Sequence, residues 1–319
     1  MSTNSEHWRK VRMMTDRTHG GRAHQHQPFH TSASHCFPTM ATSEVTPDQL
    51  NRHPHLWEMP EAEWESTLER WKHGGSLKSL KTLRLGSSLN HEEDAEDVPR
   101  VNKAELMHRV SSFLEISTNL QCLHLHSSVA VQVLDYLPGT IREVEIEEVP
   151  PPAEDGSAPT LVADVLVNRL LSLGQVERIV LKGSEDLDDF PQISSLAVLK
   201  CFESTTLKFL EMKGMEVTLN PSASPRRLGQ ALRVNKILEL IRTRCGRVPE
   251  TILLEISRAL QEDNRTLQYV DIGSLEGVTD AVAQSFTAIM ASGNTTFRSL
   301  ECNLNGISNF NHTSLKHML

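Results

Sequence analysis

Cys122, His124 and His126 stand at alternate positions of one short apolar phrase, the arrangement in this chain that most resembles a nucleophile beside a base. A thiol needs its base within hydrogen-bond reach, about 3 Å. Alternate side chains of a strand are roughly 7 Å apart at Cα, so the trio reads as polar decoration of a strand. A second cluster is His7, His19, His24, His26, His30 and His35. Clustered histidine can bind zinc or nickel, yet no H-x-x-x-H lies on a credible helix and no cysteine stands at finger spacing. No metal and no cofactor is expected. A third cluster is Glu143, Glu145 and Glu147, three like charges on one side of a strand. They repel one another, and a basic partner surface would relieve them.

Phosphate loops, G-x-G-x-x-G after a strand, G-x-S-x-G, H-E-x-x-H and kinase signatures are absent. The expectation is a binding protein and no enzyme. The formal charge of −9 argues against bulk attraction to nucleic acid. The cysteines Cys36, Cys122, Cys201, Cys245 and Cys302 are scattered and odd in number, which argues for reduced thiols in a cytoplasmic or nuclear protein. No apolar run approaches 18 residues, so no transmembrane helix and no membrane partner are expected.

The elements that carry these residues repeat. The phrase L-x-x-L-x-L starts at Leu80, Leu120, Ile141, Val176, Leu207, Leu238, Leu267 and Phe297. The last four separations are 31, 31, 29 and 30 residues, a regular beat, whereas the earlier 40, 21 and 35 imply insertions and one shortened unit. Leu196-x-x-Leu199-x-Cys201 also fits the phrase but lies too close to Leu207 for a full unit, and is rejected. Between phrases the apolar period turns helical. Helices are predicted over 103–116 and 161–173, after Pro225 and Pro249, and from Thr279-Asp280 to a stop at Gly293. Strand plus helix about every 30 residues predicts parallel strands stacked side by side, each unit burying its apolar side against its neighbours.

The segments Leu228-Gly-Gln-Ala-Leu-Arg-Val-Asn-Lys-Ile-Leu238, Ile256-Ser-Arg-Ala-Leu-Gln-Glu-Asp-Asn-Arg-Thr-Leu267 and Ile289-Met-Ala-Ser-Gly-Asn-Thr-Thr-Phe297 resemble ribonuclease-inhibitor-like leucine-rich repeats, in which a helix reading A-L-x-x-N-x-x-L feeds the next strand. The likeness covers 225–307 well and 77–224 more loosely. It implies an α/β leucine-rich-repeat solenoid, with a curved parallel sheet on the concave side and helices on the convex side. The family's Asn after the strand stands only at Asn305. Ser88, Ser128, Ser184, Met215 and Leu275 replace it elsewhere, so the asparagine ladder is expected to be mostly missing and the curve somewhat irregular.

Residues 1–43 are read as a disordered His/Arg/Ser-rich tail, with organelle import as a lesser alternative and Met40 as an alternative start. Residues 44–75 form a helical N-terminal cap, with Trp64, Leu68 and Trp71 on one helix face and a stop at Gly74-Gly75. Residues 76–319 are the repeat domain, with insertions near 87–100 and 149–160. If the second and third apolar positions of each phrase point inward, the concave face presents Arg84, His124, Glu143, Glu145, Glu147, Arg178, Val180, Lys182, Phe209, Glu211, Arg242, Tyr269, Asp271 and Glu301. A monomeric scaffold or adaptor binding another protein through that face is the expected function. The alternatives carried by the resemblance are a regulator of a small GTPase, as some GTPase-activating proteins share this repeat class, and a ubiquitin-ligase substrate receptor.

Overall fold

A computed structural model describes residues 46–51, 56–57, 59–85, 103–152, 161–183, 190–273 and 279–302. The tail over 1–43, most of the two insertions, Gly86 and Asn305 lie outside the described residues.

The described chain is α/β. Eight strands form one parallel sheet: β1 (Thr82–Leu85), β2 (Cys122–His126), β3 (Glu143–Val149), β4 (Arg178–Gly183), β6 (Phe209–Lys213), β8 (Leu240–Arg244), β9 (Tyr269–Gly273) and β10 (Ser299–Cys302). They lie in chain order. Each starts two residues after the first apolar position of its phrase, and the register aligns phrase with phrase, as in Leu83↔Leu123, Leu123↔Val144 and Ile241↔Val270. Two further short strands, β5 (Gln192–Ser194) and β7 (Glu216–Thr218), pair with each other outside this sheet.

Every link between neighbouring sheet strands carries a helix: α2 (Lys103–Ile116), α3 (Ser127–Val133), α4 (Val162–Ser172), α5 (Ser195–Glu203), α6 (Pro225–Val234), α7 (Glu250–Glu262) and α8 (Asp280–Ala291). The rejected phrase at Leu196 is the body of α5. The helix starts follow from capping chemistry. Ser224 Oγ accepts from Arg227 N with Pro225 in the first turn, and Thr279 Oγ1 accepts from Val282 N. Gly293, with φ +73°, turns the chain out of the last helix as its position predicts.

Alternate strand residues point into one core with the helices' inner faces. Leu83, Leu85, Leu123, Leu125, Val144, Ile146, Ile179, Leu181, Leu210, Ile241, Val270 and Ile272 are all buried. Each such side chain contributes about 2 kcal/mol relative to exposure.

Asparagine nevertheless joins the last described turns, at a place other than the step after the strand. The tie stands before β8, β9 and β10 instead of after a strand. Asn235 Nδ2 donates to Phe202 O and Ser204 O, Asn264 Nδ2 to Leu232 O and Asn235 O, and Asn294 Nδ2 to Leu260 O and Asn264 O. The Oδ1 of each accepts two backbone N–H groups of its own turn, for example Thr266 N and Leu267 N on Asn264. Each residue thus joins its own turn to the one before. At the corresponding place Ser204 Oγ accepts Thr206 N and Leu207 N, and among the described residues no bond from it reaches back a turn. Earlier turns use other side chains: Asn119 Nδ2 on Lys78 O, Thr140 Oγ1 on Leu120 O and Gln175 Nε2 on Pro138 O.

At the β1 end, a 3-10 turn over Pro47–Asn51 meets the first strand. The Asn51 side-chain amide donates to Thr82 O and accepts from Arg84 N, so it pairs with the sheet edge as a strand residue would. Helix α1 (Glu61–Gly74) follows, ended by Gly75 at φ +70°. Trp57, Trp64 and Trp71 are buried, the first and last each edge-on to Phe113 of α2, so Trp64 and Trp71 act in packing.

Candidate functional site

The side of the sheet away from the core presents three rows of side chains. The first row runs Thr82, Cys122, Glu143, Arg178, Phe209, Leu240, Tyr269, Ser299 by register. The second runs Arg84, His124, Glu145, Val180, Glu211, Arg242, Asp271, Glu301. The third holds His126 beside Glu147, and Lys213 between Lys182 and Arg244. Every candidate residue from the sequence therefore falls on one face. Strand alternation and a common register bring them together although they span more than two hundred positions of chain.

Most of the charges on this face are already partnered, which the sequence reading missed. The acidic step is relieved from within: Lys182 Nζ bonds Glu145, and reaches Glu147 Oε1 at 3.2 Å. His124 Nδ1 adds a contact of 3.4 Å to Glu145 Oε2. Of the three glutamates, Glu143 is exposed and Glu145 and Glu147 are half-buried. Burial alone would raise the Glu145 carboxyl, but the Lys182 hydrogen bond and the charges of His124 and Lys182 outweigh it and hold the group below its ordinary value. Lys182 is raised in turn, chiefly by its hydrogen bond to Glu145.

A second network covers β6 to β10. Arg242 joins Glu211 Oε2 and Asp271 Oδ2, each at 3.1 Å. Arg244 joins Asp271 Oδ2 at 2.6 Å and Glu301 Oε2 at 3.1 Å. Asp271 is buried beneath these arginines, so it is not a freely presented contact as the sequence suggested. Burial pushes its carboxyl up further than the hydrogen bond and charge of Arg244 bring it down. The pairing and the upward direction are compatible: two arginines hold the carboxylate, yet ionising it still carries a desolvation cost.

Val180 corrects the row expectation, because it is buried despite its outward position. Its register neighbours are Glu145 and Glu211, which pair with Lys182 and Arg178, the residues two places either side of it on β4. The two ion pairs straddle it. A depression of about 170 Å³ lies there, lined by Cys122, His124, Glu143, Glu145, Arg178 and Val180 among others. Burial and the Glu143 charge push the Cys122 thiol up, the reverse of what activates a nucleophile. His126 contacts Ser128 Oγ and Glu148 Oε2, each at 2.8 Å, so it works at the start of α3 and the end of β3.

Phe209, Leu240 and Tyr269 are register neighbours in the first row, partly exposed and with no charge among them. Tyr269 is 39% exposed. The candidate face is thus a self-neutralised ionic lattice beside a short apolar strip.

The Glu145–Lys182 pair has a measurable signature. Lys182→Met is expected to raise the Glu145 carboxyl, read by side-chain NMR titration. The depressed carboxyl contributes stability above pH 4.5 that is lost as pH falls through its folded value, and the raised ammonium contributes below pH 10.5 and loses it as pH rises through its own. The variant should therefore differ from the parent across the neutral range, by about 0.5 kcal/mol for so exposed a pair, and converge with it in acid. A Glu145 titration unmoved by the substitution would show that the pair does not form.

No protein-family model and no curated protein matches the chain. Among the described residues, no helix is long and apolar enough to cross a membrane.

Proposed function

We propose that the chain is a leucine-rich-repeat solenoid of the ribonuclease-inhibitor-like type, serving as a scaffold that takes a partner protein on the open face of its eight-stranded sheet. One observation carries this reading. Across three side-chain rows of one sheet face the described side chains are partly or fully exposed, Val180 and Asp271 excepted, while the opposite face is buried with the helices. A face so large and continuous suits the flat or convex surface of another protein better than a small molecule, which is usually held in a concave pocket. The repeat reading rests on the phrase-to-phrase register, on strands laid in chain order with a helix in each link, and on the A-L-x-x-N segments whose asparagines join neighbouring turns.

The internal ion pairs bear on how binding would work. Charges already paired within the face add little net affinity and restrict which partners are tolerated. Anchoring then falls to the uncharged positions, since aromatic residues dominate interface energies.

Hydrogen–deuterium exchange on a complex recovered by affinity purification tests the proposal. Protection is expected in β4, β6, β8 and β9 and not in the outer turns of α5–α8. Protection confined to the helices would overturn it.

A further inference from the structure

The proposed binding face has a distinct corner where β6, β8, β9 and β10 begin. The apolar strip Phe209–Leu240–Tyr269 lies along its first row. One residue before β8, β9 and β10 the chain passes through Glu239, Gln268 and Arg298, and these positions border a groove of about 280 Å³. Lys236, Arg265 and Arg298 line it against the single carboxylate of Glu239, with Thr295 and Thr296 between them.

A net positive groove is notable in a chain of formal charge −9. Lys236 and Arg298 are exposed and belong to none of the ion pairs among the described residues, in contrast to the arginines of the neighbouring face. Arg265 is held by donating to Leu260 O, Glu262 O and Asn264 O, so its charge is fixed at the rim. The origin of the groove is the repeat itself: the residue after each ladder asparagine, at 236, 265 and 295, and the residue before each strand, at 239, 268 and 298, project at the same edge in successive turns.

Resting on the reading above, we infer that this corner takes an extended segment of a partner protein in which apolar and acidic residues alternate. Adjacent strands are about 4.8 Å apart, so strip and groove each extend about 10 Å across three strands, the length of about three extended residues. In an extended segment successive side chains point to opposite sides. Lying along the corner, one set meets Phe209, Leu240 and Tyr269, and the other meets Lys236 and Arg298. A basic segment would meet repulsion from three cations, and a wholly acidic one would leave the strip uncovered.

The test uses the full chain and two fluorescein-labelled twelve-residue peptides, one alternating Val or Leu with Glu or Asp, the other carrying Lys in place of every acid. Fluorescence anisotropy is expected to show saturable binding of the acidic peptide, weakening as salt is raised. Tyr269→Ala and the double variant Lys236→Glu/Arg298→Glu should each weaken it about tenfold, the loss of one interface anchor. All three residues are exposed, and thermal unfolding of the variants confirms that they fold. Absence of binding, or binding indifferent to both variants, overturns the inference. Binding of the lysine peptide instead, lost on Glu143→Lys, also overturns it but leaves the open face as the binding surface. The insertion near 87–100 carries Glu92, Glu93, Asp94, Glu96 and Asp97, and tighter binding after residues 91–97 are replaced by a Gly/Ser stretch would assign the corner to this acidic run of the chain itself, against a partner.

Discussion

Asn264→Ala is expected to lower the stability of the fold by about 4 kcal/mol, read as the shift of the urea midpoint at unchanged slope. The side chain is fully buried and makes four hydrogen bonds. Its removal takes from Leu232 O its donor in the next turn and from Thr266 N and Leu267 N their acceptor within the turn, while Asn235 O keeps the Thr266 hydroxyl. Each buried group left unsatisfied costs about 1–3 kcal/mol. Asn264→Asp is a sharper probe, because it keeps the acceptor for Thr266 N and Leu267 N but places an oxygen where Leu232 O and Asn235 O need a donor. It should be at least as damaging as alanine. Thr295→Ala, at an exposed neighbouring position, is the control and should change little. A loss below 1 kcal/mol for Asn264→Ala would mean that the turns are held by apolar packing alone.

The asparagines also show where sequence reasoning stopped short. They stand in the A-L-x-x-N segments that carry the family resemblance, whereas the family's ladder position lies three residues after the strand phrase, where Ser, Met and Leu stand in this chain. Counting back from the phrase locates them: Ser204, Asn235, Asn264 and Asn294 lie three residues before Leu207, Leu238, Leu267 and Phe297. Leu77, Ser117, Pro138 and Leu173 hold that place in the earlier turns. The asparagine tie therefore coincides with the last three of the four regular intervals. In those earlier turns the crossing bonds come from Asn119, Thr140 and Gln175, each one residue before its phrase, and they reach carbonyls at different places of the preceding turn.

Strand positions were legible because L-x-x-L-x-L fixes both the period and the inward residues. The small sheet of β5 and β7 was not legible, being three residues per strand and without alternation long enough to register. On the face, sequence assigned which side chains share a surface. It could not assign their pairings, since those depend on neighbours about 30 residues away. Glu145 and Glu147 read as an unrelieved acidic step until the register sets Lys182 beside them. Asp271 reads as an exposed acid until Arg242 and Arg244 close over it. Once a register is assumed, alternation of sign across strands, as in Glu211, Arg242 and Asp271, is the signal that would have found the lattice.

Arg109→Met is expected to cost about 3 kcal/mol and to loosen the N-terminal end before the rest of the fold. Arg109 is 1% exposed and lies on α2. One guanidinium nitrogen donates to Trp57 O at 3.0 Å and Met59 O at 2.5 Å, and another to Glu61 Oε2 at 2.6 Å and to Glu105. Its Arg109 hydrogen bond holds the Glu61 carboxyl below the usual range against the opposing effect of burial. The two carboxylates are 50% and 35% exposed and can hydrate when the arginine is lost, which keeps the cost at the low end for a broken buried pair. The two backbone carbonyls lose a buried donor, and methionine fills the space of the stem without supplying one. Those carbonyls belong to the segment that carries Trp57 over Phe113 and leads into α1. Tryptophan emission from Trp57, Trp64 and Trp71 should shift to the red at lower urea than the loss of far-ultraviolet ellipticity. Arg109→Lys should recover only part of the difference, because one ammonium cannot address four acceptors set in a fork. Coincident fluorescence and ellipticity transitions in Arg109→Met would show instead that this end unfolds as one unit with the asparagine-tied turns.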